Sequence, residues 1–293
     1  MSIPSSVTSA AGRLLPKSLH PALRVMPDAV GQATRRGRAL PTFLIAGGQR
    51  CGTTSLFKAL VQHPQVAGPT LRKGVHYFDA GYTRGLDWYR AHFPLTATLR
   101  ALGRTAVGES SPYYLFHPLA AERIARDLPG VRVIVLLRDP VERAYSAHAH
   151  ELARGFETEP FERALELEEE RLAGTEELLC ADPAARSHHH RHHAYLRRGH
   201  YADQLQRLEK HIGRDRLHVV ESEAFFATPE PVFAGVADFL GIAHDSGIAF
   251  ERHNARPRGA PMPEALRGRL RAHFADADRR LADWWGRVPS WRG

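Results

Sequence analysis

The stretch Phe43-Leu44-Ile45-Ala46-Gly47-Gly48-Gln49-Arg50-Cys51-Gly52-Thr53-Thr54-Ser55-Leu56 decides the fold. Four apolar residues run into paired glycines, a polar turn follows, and a helical pattern extends from Ser55 to about Gln62. A short unbroken apolar run that stops at a turn signal predicts a strand buried on both faces. Glycines allow a backbone to approach a ligand closely, and amides and hydroxyls gathered at a helix start attract an anion. The segment Gly47 to Thr54 is therefore a candidate anion cradle.

A second run of the same kind, Val131 to Leu137, ends in Arg138, Asp139 and Pro140 and leads into a helical pattern from Val141 to about Arg154. Asp139 as N-cap and Pro140 at the first helical position mark that helix start. Shorter strand signals at Val66 with Ala67, Thr105 to Gly108 and Leu217 to Val220 alternate with helical patterns. The helices are expected near Leu86 to His92, Pro118 to Leu128, Pro160 to Leu172, Tyr201 to His211, Pro231 to Leu240 and Pro263 to Trp285. Strands separated by helices predict an α/β fold, a P-loop-like, doubly wound, mainly parallel sheet flanked by helices on both faces. With 293 residues, 43% hydrophobic and 25% charged, the simplest division is a basic N-terminal leader over residues 1–40 and one domain over residues 41–293.

Ligands of such sheets bind beyond the carboxyl ends of the strands, so chemistry is expected at the two turns. In the first, Thr53 stands where the nucleotide-binding loop Gly-x-x-x-x-Gly-Lys-Ser/Thr has its lysine, and the cation is Arg50, two residues before Gly52. That displacement suits a donor with a single 5′-phosphate better than a triphosphate with magnesium. In the second turn Arg138 emerges at the ligand edge with its forked donors available, and Ser146 presents a hydroxyl further along the helix. Three alternatives stay open: a magnesium-dependent kinase, a glycine-rich turn that holds no ligand, and an ion pair of Arg138 with Glu142 or Asp139.

The formal charge of +8 points to anionic partners, whether nucleotide, nucleic acid, phospholipid head group or acidic glycan. No stacked-aromatic module or base-reading helix supports the nucleic-acid or anionic-polymer alternative. Only two cysteines are present, Cys51 and Cys180, too far apart in sequence to suggest a disulfide framework. No apolar run approaches the roughly 20 residues that span a bilayer, and Met1 to Ala11 lacks the pattern of a signal peptide. A cytoplasmic protein is expected, with weak contact of the basic segment Leu14 to Leu40 at the inner membrane surface as a secondary expectation.

Four ordered stretches carry a family pattern: Gly47 to Leu56; Lys73-Gly74-Val75-His76-Tyr77-Phe78-Asp79; Glu109 to Tyr113; and Leu137 to Ser146. Together they resemble the heparan sulfate N- and 3-O-sulfotransferases and their bacterial relatives, over roughly Pro41 to the C-terminus. The resemblance implies a sulfotransferase that uses 3′-phosphoadenosine-5′-phosphosulfate (PAPS), releases PAP, needs no metal, and modifies a hydroxyl or amine of a glycan, glycolipid or small secondary metabolite. It maps the 5′-phosphosulfate cradle to Arg50, Cys51, Gly52, Thr53, Thr54 and Ser55, and the 3′-phosphate contacts to Arg138 and Ser146. Tyr201, and Arg256 with Arg258 and Gly259, resemble the later donor-binding segments.

Departures from that pattern preserve the phosphate site in type and leave the acceptor chemistry not transferable. Relatives place a lysine at Arg50, a glutamate that acts as base at Gly74, and some of them a second lysine at Ser110. Arg50 is expected to stabilise the leaving phosphate. His76 is the first candidate base, on the reasoning that alternate residues of a strand share a face, and Glu109 is the second. Lys73 is expected to steer donor or acceptor. Elsewhere, the tract His188 to His193 reads as a mobile polar loop, because consecutive histidines do not define a coordination shell. The acidic run Glu166, Glu168, Glu169 and Glu170 with Arg163 and Arg171 reads as a solvated helix face. Trp284, Trp285 and Trp291 read as packing residues.

Overall fold

A computed structural model of the chain describes residues 29–70, 72–253 and 261–293. Five strands, β1 (Phe43–Ile45), β2 (Val66–Ala67), β3 (Ala106–Ser110), β4 (Arg132–Leu137) and β5 (Leu217–Glu221), form one sheet in the order β2-β3-β1-β4-β5. All neighbouring pairs are parallel. The chain leaves β1 towards one edge of the sheet and later returns to place β4 on its other side. The crevice between the ends of β1 and β4 is thus the switch point where α/β sheets receive ligands.

The helices that shape the site are α1 (Thr53–Leu60), α2 (Ala120–Asp127), α3 (Pro140–Leu152), α4 (His188–His192), α5 (Tyr201–Ile212), α6 (Pro229–Leu240), α7 (Glu264–His273) and α8 (Ala275–Trp285). Strand alternation divides the central residues between two cores. Phe43, Ile45, Ile134 and Leu136 meet Leu56 and Leu60 of α1 and Phe233, Val236 and Leu240 of α6. Leu44, Ala46, Val133, Val135 and Leu137 meet Ile124 of α2 and Leu205 and Leu208 of α5. Each fully buried leucine or phenylalanine contributes about 1.5–3 kcal/mol, so two-sided burial fixes the register of the strands and with it the position of the turns. Trp284, Trp285 and Trp291 pack on the second core, as expected.

Several local expectations need correction. The helix expected over 160–172 is two short ones, Phe161–Glu166 and Glu168–Leu172. The long C-terminal helix breaks at Phe274, which turns inward and is fully buried beside Leu266 and Leu270. The acidic run is not a uniformly solvated face: Glu168 is buried, with Oε2 accepting the amides of Tyr195 (2.9 Å) and Leu196 (2.7 Å) and Oε1 that of Arg197 (2.8 Å). The histidine tract is not a polar loop either. It forms α4, N-capped by Ser187, with His190 and His193 buried. Residues 30–39, within the segment read as a leader, contact the body through Arg35 with Asp87 and the Arg38 guanidinium on the Phe93 carbonyl. No helix among the described residues is long and apolar enough to cross a membrane.

Candidate active site

The donor side is built where β1 and β4 end. A side chain at Gly47 would place its Cβ 2.3 Å from the Leu136 amide nitrogen, so only glycine lets the loop lie against β4; the Gly48 amide donates to the Leu136 carbonyl at 2.9 Å. Gly52 adopts φ +84° at the N-cap of α1. The first-turn amides of a helix have no acceptor within it, and with the helix dipole they favour an anion. Thr53 and Ser55 are largely buried at this end, and the Ser55 hydroxyl accepts the His253 amide at 2.9 Å. Cys51 points inward and is fully buried; burial pushes its thiol up to about 11, so the residue offers the site backbone rather than thiolate.

Arg50 joins the two turns. Its φ of +72° lies in the left-handed region, which costs a side-chain-bearing residue about 1–2 kcal/mol. In that conformation its carbonyl accepts Arg138 Nη1 at 3.3 Å and its own Nε donates to Ser146 Oγ at 3.1 Å. The ion-pair alternative for Arg138 is present but loose, with Glu142 at 3.8 Å; Glu142 also pairs with Arg267. Tyr201 is almost fully buried and reaches the site through its hydroxyl, which donates to the Arg138 carbonyl at 2.8 Å.

Beneath the loop lie charges that motif reading missed. Arg143, in the first turn of α3, is fully buried; its Nη2 donates to the Tyr195 carbonyl, and its Nε and Nη1 have no hydrogen-bond partner among the described residues. Arg198, also buried, donates to Gln49 Oε1 at 3.0 Å, and Gln49 Nε2 donates to Glu151 Oε1 at 2.7 Å. The other Glu151 oxygen meets His192 Nδ1 at 3.0 Å. The loop is therefore braced from α3 and α4 as well as from the sheet.

The acceptor side is irregular. Lys73 Nζ donates to Thr54 Oγ1 at 2.9 Å, which sets it over the start of α1. Burial pushes its ammonium down to about 8, against the pull of Glu109. Residues 72–76 are not a strand, so the alternation argument for His76 fails. Its orientation comes instead from a left-handed backbone (φ +57°) that opens a π-helical turn over Tyr77–Gly81. The imidazole is 37% exposed, and its Nδ1 lies 2.7 Å from Oδ2 of the buried Asp79. Burial pushes the Asp79 carboxyl up, but His76, Arg191 and the Ala80 amide together hold it below the usual carboxylate range.

Glu109, the second candidate base, is fully buried at the end of β3. Oε1 accepts the hydroxyls of Tyr89 and Tyr114, both at 2.7 Å, and Oε2 accepts the Val75 amide at 2.6 Å and the Ser111 hydroxyl at 2.7 Å. With four donors on two oxygens it has no face left for an acceptor. Ser111 Oγ also accepts the His76 amide at 3.1 Å, so Glu109 fixes the backbone that carries His76. At Gly74 a Cβ would meet the Ser110 carbonyl at 2.4 Å. Arg256, Arg258 and Gly259 lie outside the described residues.

A glycine-lined loop at a helix N-terminus, an arginine-bearing turn on the neighbouring strand and a parallel sheet of this order define a P-loop-like α/β protein. Residues 40–254 match the family model described as the sulfotransferase domain, and the chain belongs to that family and is a sulfotransferase. The chain is 25% identical to the membrane-associated sulfotransferase kil1 of Dictyostelium discoideum over 86% of its own length and 67% of that protein's. To human heparan sulfate glucosamine 3-O-sulfotransferase 6 it is 29% identical, over 94% and 80% of the two chains. It spans about a quarter of the bifunctional heparan sulfate N-deacetylase/N-sulfotransferases that it also matches. The crystal structure of a sulfotransferase from Alicyclobacillus acidocaldarius superposes with a TM-score of 0.67 at 30% identity, covering 87% of this chain and all of the other.

Proposed function

We propose that the chain transfers a sulfuryl group from PAPS to a hydroxyl or amine of a carbohydrate, glycolipid or small-molecule acceptor, with His76 as the base. The observation that carries the donor assignment is Arg50, which touches both turns at once and so stands between the two places where a 3′,5′-bisphosphorylated nucleoside would be held. The residues suit such a polyanion: glycine at 47 and 48 lets the loop lie flat against β4 with its amides available, and Nε and Nη1 of Arg143, buried beside the loop, have no hydrogen-bond partner among the described residues. When bound, PAPS supplies a sulfuryl group on a phosphate leaving group.

The chain's residues then divide the work. Arg50 and the first-turn amides of α1 neutralise charge that grows on the leaving phosphate oxygen. Arg138 and Ser146 hold the 3′-phosphate, and Tyr201 is a positioning residue that fixes the carbonyl of Arg138. Asp79 keeps the proton of His76 on Nδ1, which leaves Nε2 to take the acceptor's proton as its oxygen or nitrogen attacks sulfur. Lys73 places a cation between the two, beside Thr54. Glu109 is a positioning residue for the segment 75–76. Calorimetry with PAP is expected to give saturable one-to-one heat that is unchanged by chelator, and transfer from ³⁵S-labelled PAPS to cell extracts to yield a labelled product. Absence of heat from well-folded protein would overturn the donor assignment.

A further inference from the structure

Gln49 and Arg50 are the middle residues of a turn that the Cys51 amide closes on the Gly48 carbonyl at 3.2 Å. Arg50 takes the third place of that turn with φ +72°, a place and a conformation that usually fall to glycine. Strain of this kind persists only where the surrounding structure over-determines it. On the far side of Arg50 the restraint is backbone: its carbonyl accepts Arg138 Nη1, and Cys51 is fully buried. On the near side it is the side chain of Gln49, which is held at both ends. Oε1 accepts Arg198 Nη1 at 3.0 Å, and Nε2 donates to Glu151 Oε1 at 2.7 Å. A guanidinium only donates and an ionised carboxylate only accepts, so the amide fits in one orientation. Turned over, it would set donor against donor and acceptor against acceptor.

Both anchors of that amide are themselves fixed. Arg198 is buried in the turn Arg197–Gly199 before α5, and its Nη2 donates to the carbonyls of His190 and Arg191 at 3.2 and 2.7 Å. Glu151 is fully buried near the end of α3, where its Oε2 meets His192 Nδ1 at 3.0 Å and Arg154 Nη1 at 3.2 Å. Burial pushes the Glu151 carboxyl up, but His192, Arg154 and Gln49 together hold it below the usual carboxylate range, so it is ionised at neutral pH. Helix α4 thus seats both anchors, Arg198 through two carbonyls and Glu151 through His192. The histidine tract, which the donor and acceptor sites leave without a task, is the outer wall of this clamp.

We propose that Glu151 is a positioning residue for Arg50: acting through the Gln49 amide, it keeps the turn in the conformation that directs the Arg50 guanidinium to Ser146 and the leaving phosphate. This rests on the role given to Arg50 above. The test measures two quantities, initial ³⁵S transfer from saturating labelled PAPS to cell extract and PAP affinity by calorimetry. Glu151→Ala and Gln49→Ala are each expected to slow transfer about tenfold or more, towards the ~10²-fold loss that follows displacement of a reacting group by about 1 Å. PAP affinity should stay within about threefold of the parent, because Gln49 touches none of the groups assigned to its phosphates. Glu151→Gln keeps an oxygen for the Gln49 amide and should stay within about threefold of the parent rate. Added to Arg50→Ala, Gln49→Ala should slow transfer by no more than about twofold further, since residues that act as one unit are not additive. Gln49 is only half-buried, so Gln49→Ala carries the test even where Glu151→Ala does not fold. Four results overturn the proposal: parent-rate transfer by Gln49→Ala, the same factor lost with and without Arg50, a Glu151→Gln enzyme as slow as Gln49→Ala, or a fall in PAP affinity as large as the fall in rate. Near-parent transfer by Arg50→Ala would instead remove the role of Arg50, and the positioning role with it.

Discussion

On the donor side, the side chains that meet at the loop leave the carboxyl ends of β1 and β4, and both strands are held by two-sided hydrophobic burial. On the acceptor side, the residues from Lys73 to Gly81 have no ladder of their own. They hang from the end of β3 through Ser110, Ser111, Glu109 and Tyr114, in a left-handed residue and a π turn. The first arrangement is a preformed backbone cradle, suited to a constant ligand. The second can change from one chain to another, because each hydrogen bond is local and a single substitution reshapes it. The glutamate of the relatives, here Gly74, falls on this second side, whereas on the donor side the lysine of the relatives is replaced by another cation, Arg50.

If that contrast holds, damage to the donor side should cost most. Arg50→Ala is expected to lower turnover about 10²–10³-fold at saturating PAPS, the loss typical of one donor to a developing oxyanion. Near-normal turnover in a variant that still binds PAP would remove Arg50 from the chemistry. On the other side, His76→Ala should cost about 10²-fold and change the shape of the pH profile as well as its height. A base works only when deprotonated, so the wild-type rate should fall towards acid pH and the variant should lose that limb. An acid limb that survives in His76→Ala would point to another base.

The same contrast explains what could be read from the chain alone. Phe43 to Ala46 and Val131 to Leu137 were legible because a strand buried on both faces needs an unbroken apolar run, and the turns after them because glycine and Asp-Pro have few other uses there. Arg50, Arg138 and Ser146 followed from those turns. Arg143 was not legible: a lone arginine on a helix looks the same whether it faces water or lies under a loop, and only packing of α3 against the loop and Tyr195 decides. Glu109 failed for the same reason, since a glutamate at a strand end does not announce that two tyrosines, a serine and an amide already surround it. The histidines of α4 read as a solvated loop because composition carries no information about Phe116, which stacks on His190 at 4.3 Å.

Gly74 gives a smaller and sharper test. Importing the relatives' residue as Gly74→Glu should not restore their chemistry, because a Cβ there meets the Ser110 carbonyl at 2.4 Å and the Ser111 hydroxyl at 2.8 Å. Overpacking of this kind costs about 1–3 kcal/mol, which for a chain of this size lowers Tm by roughly 2–4 °C per kcal/mol. The expected result is a less stable protein with no gain in turnover. A variant as stable as the parent and faster would mean that the segment 72–76 is free to move away from β3.

The smallest effect concerns Lys73, which stands where the two sides meet. Its folded-state ammonium is held down at about 8 by burial, whereas in the unfolded chain it titrates near 10.4. Between those values the unfolded state binds more protons than the folded one, so this residue makes the PAP-free protein more stable as pH rises from about 8 towards 10. A bound 5′-phosphate reverses the preference: it favours the charged ammonium and raises its pKa, so PAP affinity should be highest below pH 8 and fall as pH rises through it. The fall amounts to roughly tenfold for each unit by which binding raises the pKa. Lys73→Met should bind PAP more weakly at pH 7 and lose most of the change between pH 7 and 9 in calorimetric titrations. If the slope is the same in Lys73→Met as in the parent, the ammonium does not sense the donor, and the junction between the two sides must be carried by Arg50 and the α1 amides alone.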